Sequence, residues 1–509
     1  MEDASFFFYT IFSSLALLVF FSFLVKSLTT ITAKNSTKHG PPPSPPSLPI
    51  IGHLHLMGSS VIPKCFQTLA RRHGPLMHLR LGASTCIVIS NAQTATEIMK
   101  THDLNFCNRP HFGSSDHFLY KGSYFITAPY GPYWRFMKKL CVTQLLSTSN
   151  LNRFTHIREQ EINNLLKSLA VCSNEGTATD LSSDLTVLTN NVLCQMAMSS
   201  TCFDEVNDVG EIQCLVKEFL HVGAKLSMGE VFGRLGKWDL FGYGKKLVKI
   251  VGKFDRILER VMVEHEGKVN EVGFQGDMMD ILLQVYRNPD AEVKLTRNDI
   301  KAFFLDIFLA GTDTSSVALQ WAMAEIMNNP RILNKLKAEI DAVVGASTLV
   351  KESDIPNLPY LQAIVKEVLR LHPPAPFALR QSIEDCIING YDIKGQTRTL
   401  INVYAIMRDP EAWANPEEFI PERFLDDDQN VMKMKSEDFR YIPFGFGRRG
   451  CPGDSLALMV IQVTLAALVQ CFDWKIKGGD KVNMEEGSSF SAGLAKPLVC
   501  YPVICLNPF

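Results

Sequence analysis

Charge disappears from the chain for 20 residues at positions 6–25, FFFYTIFSSLALLVFFSFLV, before any amphipathic pattern begins. As a helix rising about 1.5 Å per residue, this run spans the roughly 30 Å hydrocarbon core of a bilayer. Glu2 and Asp3 precede it and Lys26, Lys34 and Lys38 follow, so it reads as a membrane anchor with the rest of the chain on the cytosolic side, not as a cleaved signal peptide. Two later apolar stretches are interrupted, one by Asp306 and the other by Gln462 and Thr464, and read as core helices. Amphipathic spacing is clear in LPYLQAIVKEVLRLHPP. There Leu361, Ile364, Val365, Val368 and Leu369 share one helical face, and Pro373 and Pro374 end the helix. Strand patterns are fewer: LMHLRLGASTCIVIS predicts a hairpin around Gly82, and IINGYDIKGQTRTLINVYAI predicts another at Asn389-Gly390 followed by further strand. Between the anchor and these elements lies GPPPSPPSLPIIGHL, whose prolines favour a stiff extended hinge. The pattern predicts an anchor at 1–26, a linker at 27–52, and one catalytic domain at 53–509 that is mainly α with a small β region.

Composition excludes several classes. With 509 residues, 46% of them hydrophobic, and a formal net charge of -2, the chain can bury a large core and has no basic excess for a nucleic-acid partner. Its 13 cysteines stand singly, without a CxxC pair, which argues against a disulfide framework and a thiolate zinc site and for reduced thiols facing the cytosol. No P-loop and no internal repeat are present.

One thiol is set apart. PFGFGRRGCPG, at 443–453, presents Cys451 among glycines and arginines just before an apolar helical run. A thiolate there needs stabilisation, which backbone N–H groups, a helix N-terminus and a bound metal can supply. Phe444, Gly445, Gly447, Arg449, Cys451 and Gly453 match the haem-binding signature of the cytochrome P450 superfamily, and the chain is identified as resembling that family. The resemblance implies a mainly helical haem-thiolate fold behind a single transmembrane helix, with Cys451 as the axial ligand of haem b.

Further motifs extend the likeness. AGTDTS, at 310–315, resembles the oxygen-activation motif, with Asp313 and Thr314 delivering protons, Thr314 bonding back to the carbonyl of Ala310, and Gly311 leaving space above the iron. Glu367 and Arg370 match the family's Glu-x-x-Arg pair. They lie off the apolar face, where an ion pair is worth little by itself, but Arg423 of PERF implies a structural triad with them. Arg449, Arg380 and Trp134 stand where similar proteins bind the haem propionates. Lys138 replaces the usual arginine four residues after the tryptophan and offers only a point charge. Lys138, Lys139, Arg448 and Arg449 are expected to form the basic face for a reductase.

The text is most similar to plant microsomal members that oxidise triterpenoids and flavonoids or isoflavonoids. Implied pocket residues are Phe303, Phe304, Ile307, Phe377, Ala378, Leu379, Ala492, Gly493 and Leu494, all apolar or small. The implied activity is hydroxylation with O2 and electrons from NADPH through a separate NADPH-cytochrome P450 reductase, at the endoplasmic reticulum membrane. A pentacyclic triterpenoid methyl group, with onward oxidation to the acid, ranks ahead of a flavonoid or isoflavonoid. An O2-independent isomerase or dehydratase, and a non-catalytic haem carrier, fit less well because neither needs the Asp313–Thr314 pair.

Overall fold

The computed structural model describes residues 39–509 apart from 59–60, 111–119, 121–122, 200–207, 229–238, 240, 269–275, 346, 433–437, 480 and 488–490. The apolar run at 6–25 and its flanking lysines lie outside the described residues.

The longer helices are α1 (Ile62–His73), α2 (Pro132–Leu140), α3 (Thr155–Glu175), α4 (Leu181–Met198), α5 (Asp208–Met228), α6 (Tyr243–Lys268), α7 (Met278–Arg287), α8 (Arg297–Asn328), α9 (Pro330–Val343), α10 (Pro359–Leu371) and α11 (Asp454–Cys471). Their ends follow local chemistry. The Thr296 side chain accepts the Asp299 N–H, and the Asp299 carboxylate accepts the Thr296 N–H, a capping box that starts α8. Pro330 and Pro359 open α9 and α10 at positions where the missing N–H costs nothing. Both α8 and α11 are long and apolar enough to cross a bilayer, but 67% of each apolar window is buried in the protein. They are core helices, as their interrupting polar residues predict. The main hydrophobic core forms where α4, α10 and α11 pack around α8.

Strands β1 (Leu76–Leu81) and β2 (Ser84–Ile89) form the expected hairpin, with Gly82 at φ +62° in the turn. A short β3 (Thr179–Asp180) follows; then come β4 (Phe377–Gln381), β5 (Cys386–Ile388), β6 (Tyr391–Ile393), β7 (Arg398–Asn402), β8 (Phe472–Ile476) and β9 (Val499–Ile504). The sheets run β1-β2-β7-β4, β3-β9-β8 and β5-β6. Asn389 and Gly390, at φ +48° and +77°, make the two-residue turn between β5 and β6. The strand ends at Asn402 and does not continue through VYAI: the Asn402 side chain accepts the Ala405 N–H and turns the chain into a one-turn helix, Val403–Ile406. The proline-rich segment lies extended and is fastened to the sheet. Its Pro43 carbonyl accepts the His78 N–H at 2.8 Å, and its Pro45 carbonyl is 2.8 Å from His53 Nε2.

The Glu367–Arg370 pair is not the exposed pair that its place off the apolar face suggests. Both side chains are 0% exposed. Arg370 donates to Glu367 from Nε at 2.6 Å and Nη2 at 2.9 Å, and Arg423 Nε donates to the same carboxylate at 2.9 Å. Remaining guanidinium donors satisfy the carbonyls of Met407, Pro416 and Glu418, which pins the segment 407–424 onto α10.

Candidate active site

Cys451 ends a tight loop. Its N–H donates to the Phe444 carbonyl at 2.9 Å, Gly445 N–H to Ile442 at 3.0 Å, and Gly450 N–H to Gly447 at 3.0 Å. Gly445 and Gly447 adopt φ +70° and +68°, a region that only glycine enters freely. The Gly447 requirement is also steric: a Cβ there would lie 2.9 Å from Asp103 Oδ1 and 3.2 Å from the Met99 carbonyl. The glycine therefore admits the neighbouring chain, not a ligand. Cys451 is an exposed residue whose Sγ accepts the Gly453 N–H at 3.4 Å, just before the first turn of α11. Burial raises the thiol's pKa above its ordinary value, while the Gly453 N–H and Lys138 act in the opposite direction.

The helix that follows this loop, α11, packs across α8. From Ile300 to Ile326, α8 is buried except at Ile307, Leu309, Ala310, Gly311, Asp313 and Thr314. That window coincides with the predicted proton-delivering motif. Thr314 Oγ1 donates to the Ala310 carbonyl at 2.7 Å, as the helical spacing predicts. Gly311 does not serve as open space for a ligand. Its absent Cβ faces Leu193 of α4, and a methyl there would sit 2.7 Å from Leu193 Cδ1, so this glycine permits close helix packing.

Three guanidinium groups gather beside the cysteine loop. Arg449 donates to the carbonyls of Cys107 and Ala128 and lies over the Trp134 ring, 4.4 Å from its centroid. Arg380 and Arg109 both donate to the Leu379 carbonyl, at 2.8 and 2.7 Å. Among the described residues none of the three has a carboxylate partner. Burial, and next the neighbouring charges, hold Arg380 well below its ordinary range, and burial brings Arg109 and Arg449 down to about 10. Arg109, in NRP at 108–110, is the member that sequence reasoning missed. Lys138 is not with them: its Nζ donates to the Gly450 carbonyl at 2.7 Å, one residue before Cys451. Of the expected basic face, Lys139 and Arg448 are 70% and 41% exposed, whereas Arg449 and much of Lys138 turn inward.

The predicted pocket residues divide. Ile307, Phe377, Ala378, Leu379 and Leu494 are half-buried, and Ala492 and Gly493 are buried. Phe303 and Phe304, 1% and 0% exposed, offer no surface to a ligand. Phe303 packs on Phe125, which stacks on Trp134 with centroids 5.8 Å apart, and Phe304 packs on Phe308. Asp306, unassigned by the sequence pattern, accepts the backbone N–H of Ile126 and so ties that loop to α8.

A mainly helical domain whose long central helix packs on the helix that follows a loop-borne thiol, with unneutralised arginines beside that loop, defines the class of haem-thiolate enzymes. The chain belongs to the cytochrome P450 family, whose model matches residues 42–501. It is 44% identical over 492 residues to soybean (Glycine max) 3,9-dihydroxypterocarpan 6A-monooxygenase, covering 94% of this chain and 95% of that one. It is also 41% identical over 479 residues to soybean beta-amyrin 24-hydroxylase, covering 92% and 93%. A zebrafish cytochrome P450 structure with progesterone superposes with a TM-score of 0.76 at 24% identity, covering 87% of this chain and 99% of that one. The family is one of monooxygenases that use haem, O2 and electrons from NADPH through a reductase.

Proposed function

We propose that this monooxygenase hydroxylates an apolar, polycyclic plant metabolite, with a pentacyclic triterpenoid methyl group as the preferred target. The observation that carries this reading is the window in α8, which is apolar apart from Asp313 and Thr314. Burial of a ring system there contributes roughly 25 cal/mol per Å² of apolar surface, and a charged or sugar-bearing ligand would lose hydration without a partner.

The donor set fits haem. An exposed cysteine at a helix start suits a thiolate ligand, so Cys451 would hold the haem iron. Three arginines without carboxylates suit two propionates, so Arg109, Arg380 and Arg449 would hold them, with Trp134 beneath Arg449. When bound, the haem activates dioxygen, placing one oxygen atom in a C–H bond and releasing the other as water. Thr314 and Asp313 hold the protons that this reaction consumes. In the resting arrangement the Thr314 hydroxyl proton is committed to Ala310, so the hydroxyl must rotate to donate elsewhere. Lys138 steadies the Gly450 carbonyl and with it the approach to Cys451. The apolar run at 6–25 supports anchoring in the endoplasmic reticulum membrane, with this domain in the cytosol.

The pterocarpan monooxygenase favours a second reading, an isoflavonoid or flavonoid hydroxylase, since its identity to this chain slightly exceeds that of the beta-amyrin hydroxylase. Titrating both compound classes into the membrane-bound protein and following the low-to-high-spin Soret shift separates the readings. Tight shifts with triterpenes support the first. Shifts with flavonoids alone reverse the order. Cys451→Ser tests the ligand assignment: loss of the carbon-monoxide difference band near about 450 nm is expected of a thiolate-ligated haem.

A further inference from the structure

Trp321 stands seven residues beyond Thr314 on α8 and is 0% exposed. Its indole Nε1–H donates to the Ala492 carbonyl at 2.7 Å. The ring stacks on His372, with centroids 3.9 Å apart and planes 3° from parallel. His372 Nε2 is in turn 2.7 Å from Glu325 Oε1, one turn further along α8. Two residues beyond His372, the Pro374 carbonyl accepts the Ala492 N–H at 3.2 Å. On the same face of α8, Val317 Cγ2 comes within 3.4 Å of where a Cβ on Gly493 would lie, so the tip at 492–493 sits directly on this helix.

One side chain thus touches the C-terminal loop and the turn after α10, the two segments read above as leading to the pocket walls. Its hydrogen bond fixes the C-terminal loop, and its stack fixes the turn that leads from α10 into β4 at Phe377. An indole in this place cannot act on a substrate, because no surface of it is open. What it can set is the separation of the two walls.

We propose that Trp321 is a positioning residue that sets pocket width, and hence substrate discrimination, from behind the pocket. The proposal rests on the reading above that the segments 377–379 and 491–494 wall the pocket. Trp321→Phe keeps an aromatic ring against His372 but removes the donor, leaving the Ala492 carbonyl buried without its partner. The loop tip then loses its register on α8 while the cysteine loop and the α8 window remain in place.

The test uses full-length protein in membranes and haem-binding azoles of graded bulk, so that it does not depend on the natural substrate. Imidazole, 4-phenylimidazole and a bulky diaryl azole are titrated by the Soret shift, and amide hydrogen exchange is followed at 491–495. In Trp321→Phe, the Kd of the bulky azole is expected to change about tenfold while that of imidazole stays within about twofold, and exchange at 492–493 is expected to accelerate about tenfold. Unchanged azole ratios together with unchanged exchange, in a variant that retains its haem band, would overturn the proposal. If that variant fails to take up haem, Val317→Leu replaces it. That change presses on Gly493 without touching the indole and must alter the same azole ratio; an unaltered ratio is equally fatal. Loss of the triterpenoid reading would appear separately, as absent substrate shifts in the wild type.

Discussion

Asp306, in the middle of the central helix, accepts the backbone N–H of Ile126 at 3.0 Å and is only 6% exposed. The contact fastens the loop carrying Phe125 and Ile126 to α8, where Phe125 packs on Phe303. Burial pushes the Asp306 carboxyl up to about 7, against the opposing pull of the Ile126 and Phe125 N–H groups.

That shift has a sign. The folded protein holds the Asp306 proton more tightly than the unfolded chain does. Its contribution to stability is therefore fully present below about pH 4 and is lost as pH rises through about 7. Asp306→Asn, which cannot titrate, should flatten this dependence. Between about pH 5 and about pH 8 the wild type is expected to lose roughly 2 to 3 kcal/mol more than the variant, read from denaturant midpoints. Parallel curves for the two proteins would show that Asp306 stays ionised throughout.

Gly311→Ala places a methyl 2.7 Å from Leu193 Cδ1. The obstacle is the end of a side chain, so Leu193 can shift, at about 1 to 3 kcal/mol for overpacking. A lowered melting temperature, partly recovered in the double variant Gly311→Ala, Leu193→Ala, is the expected result. A variant of unchanged stability that no longer binds carbon monoxide would instead restore the role of open space above the iron.

The sequence was legible where a single local rule acts. The two hairpins follow from turn residues at Gly82 and Asn389-Gly390, and α10 follows from its apolar spacing and flanking prolines. Cys451, Asp313 and Thr314 could be singled out as candidates because they sit in contiguous motifs. What periodicity could not show depends on partners distant in sequence. Arg109 reaches the Leu379 carbonyl, which Arg380 also bonds, across 270 positions, Gly311 meets Leu193 on another helix, and Glu367 is buried because segment 407–424 folds over it. Phe303 and Phe304 read as pocket-lining because they are apolar and lie near the motif. Their burial depends on packing: Phe303 meets Phe125 of a distant loop, and Phe304 packs one turn along α8 on Phe308.

Glu367→Gln would leave Arg370 and Arg423 without their shared carboxylate while the backbone acceptors stay in place. Breaking one side of a buried ion pair costs about 3 to 5 kcal/mol. The expected outcome is a chain that accumulates with little haem and a lowered melting temperature. Asp385→Asn is the control: its pair with Lys394 is exposed, and the melting temperature should not move.

Thr314→Ala removes the hydroxyl that now donates to Ala310 while leaving the helix intact. Haem content should be unchanged, and reducing equivalents from NADPH should go increasingly to hydrogen peroxide instead of product. Thr314→Ser, which keeps a hydroxyl, should restore much of the coupling. Equal peroxide yields in all three proteins would remove Thr314 from proton delivery.

The arginine cluster gives opposite expectations for loaded and stripped protein. Without an anion, Arg109, Arg380 and Arg449 repel one another, and the neighbouring charges hold the Arg380 guanidinium down after burial itself. Arg109→Gln relieves that repulsion and keeps a donor for the Leu379 carbonyl. The haem-free variant should therefore match or exceed wild-type stability, by about 1 kcal/mol. The loaded variant loses a charge-assisted partner for a propionate, so haem should pass to an acceptor such as apomyoglobin several-fold faster. Measuring both on the same preparation distinguishes binding from packing. A variant that is less stable without haem, yet releases haem at the wild-type rate, would assign Arg109 to the fold alone.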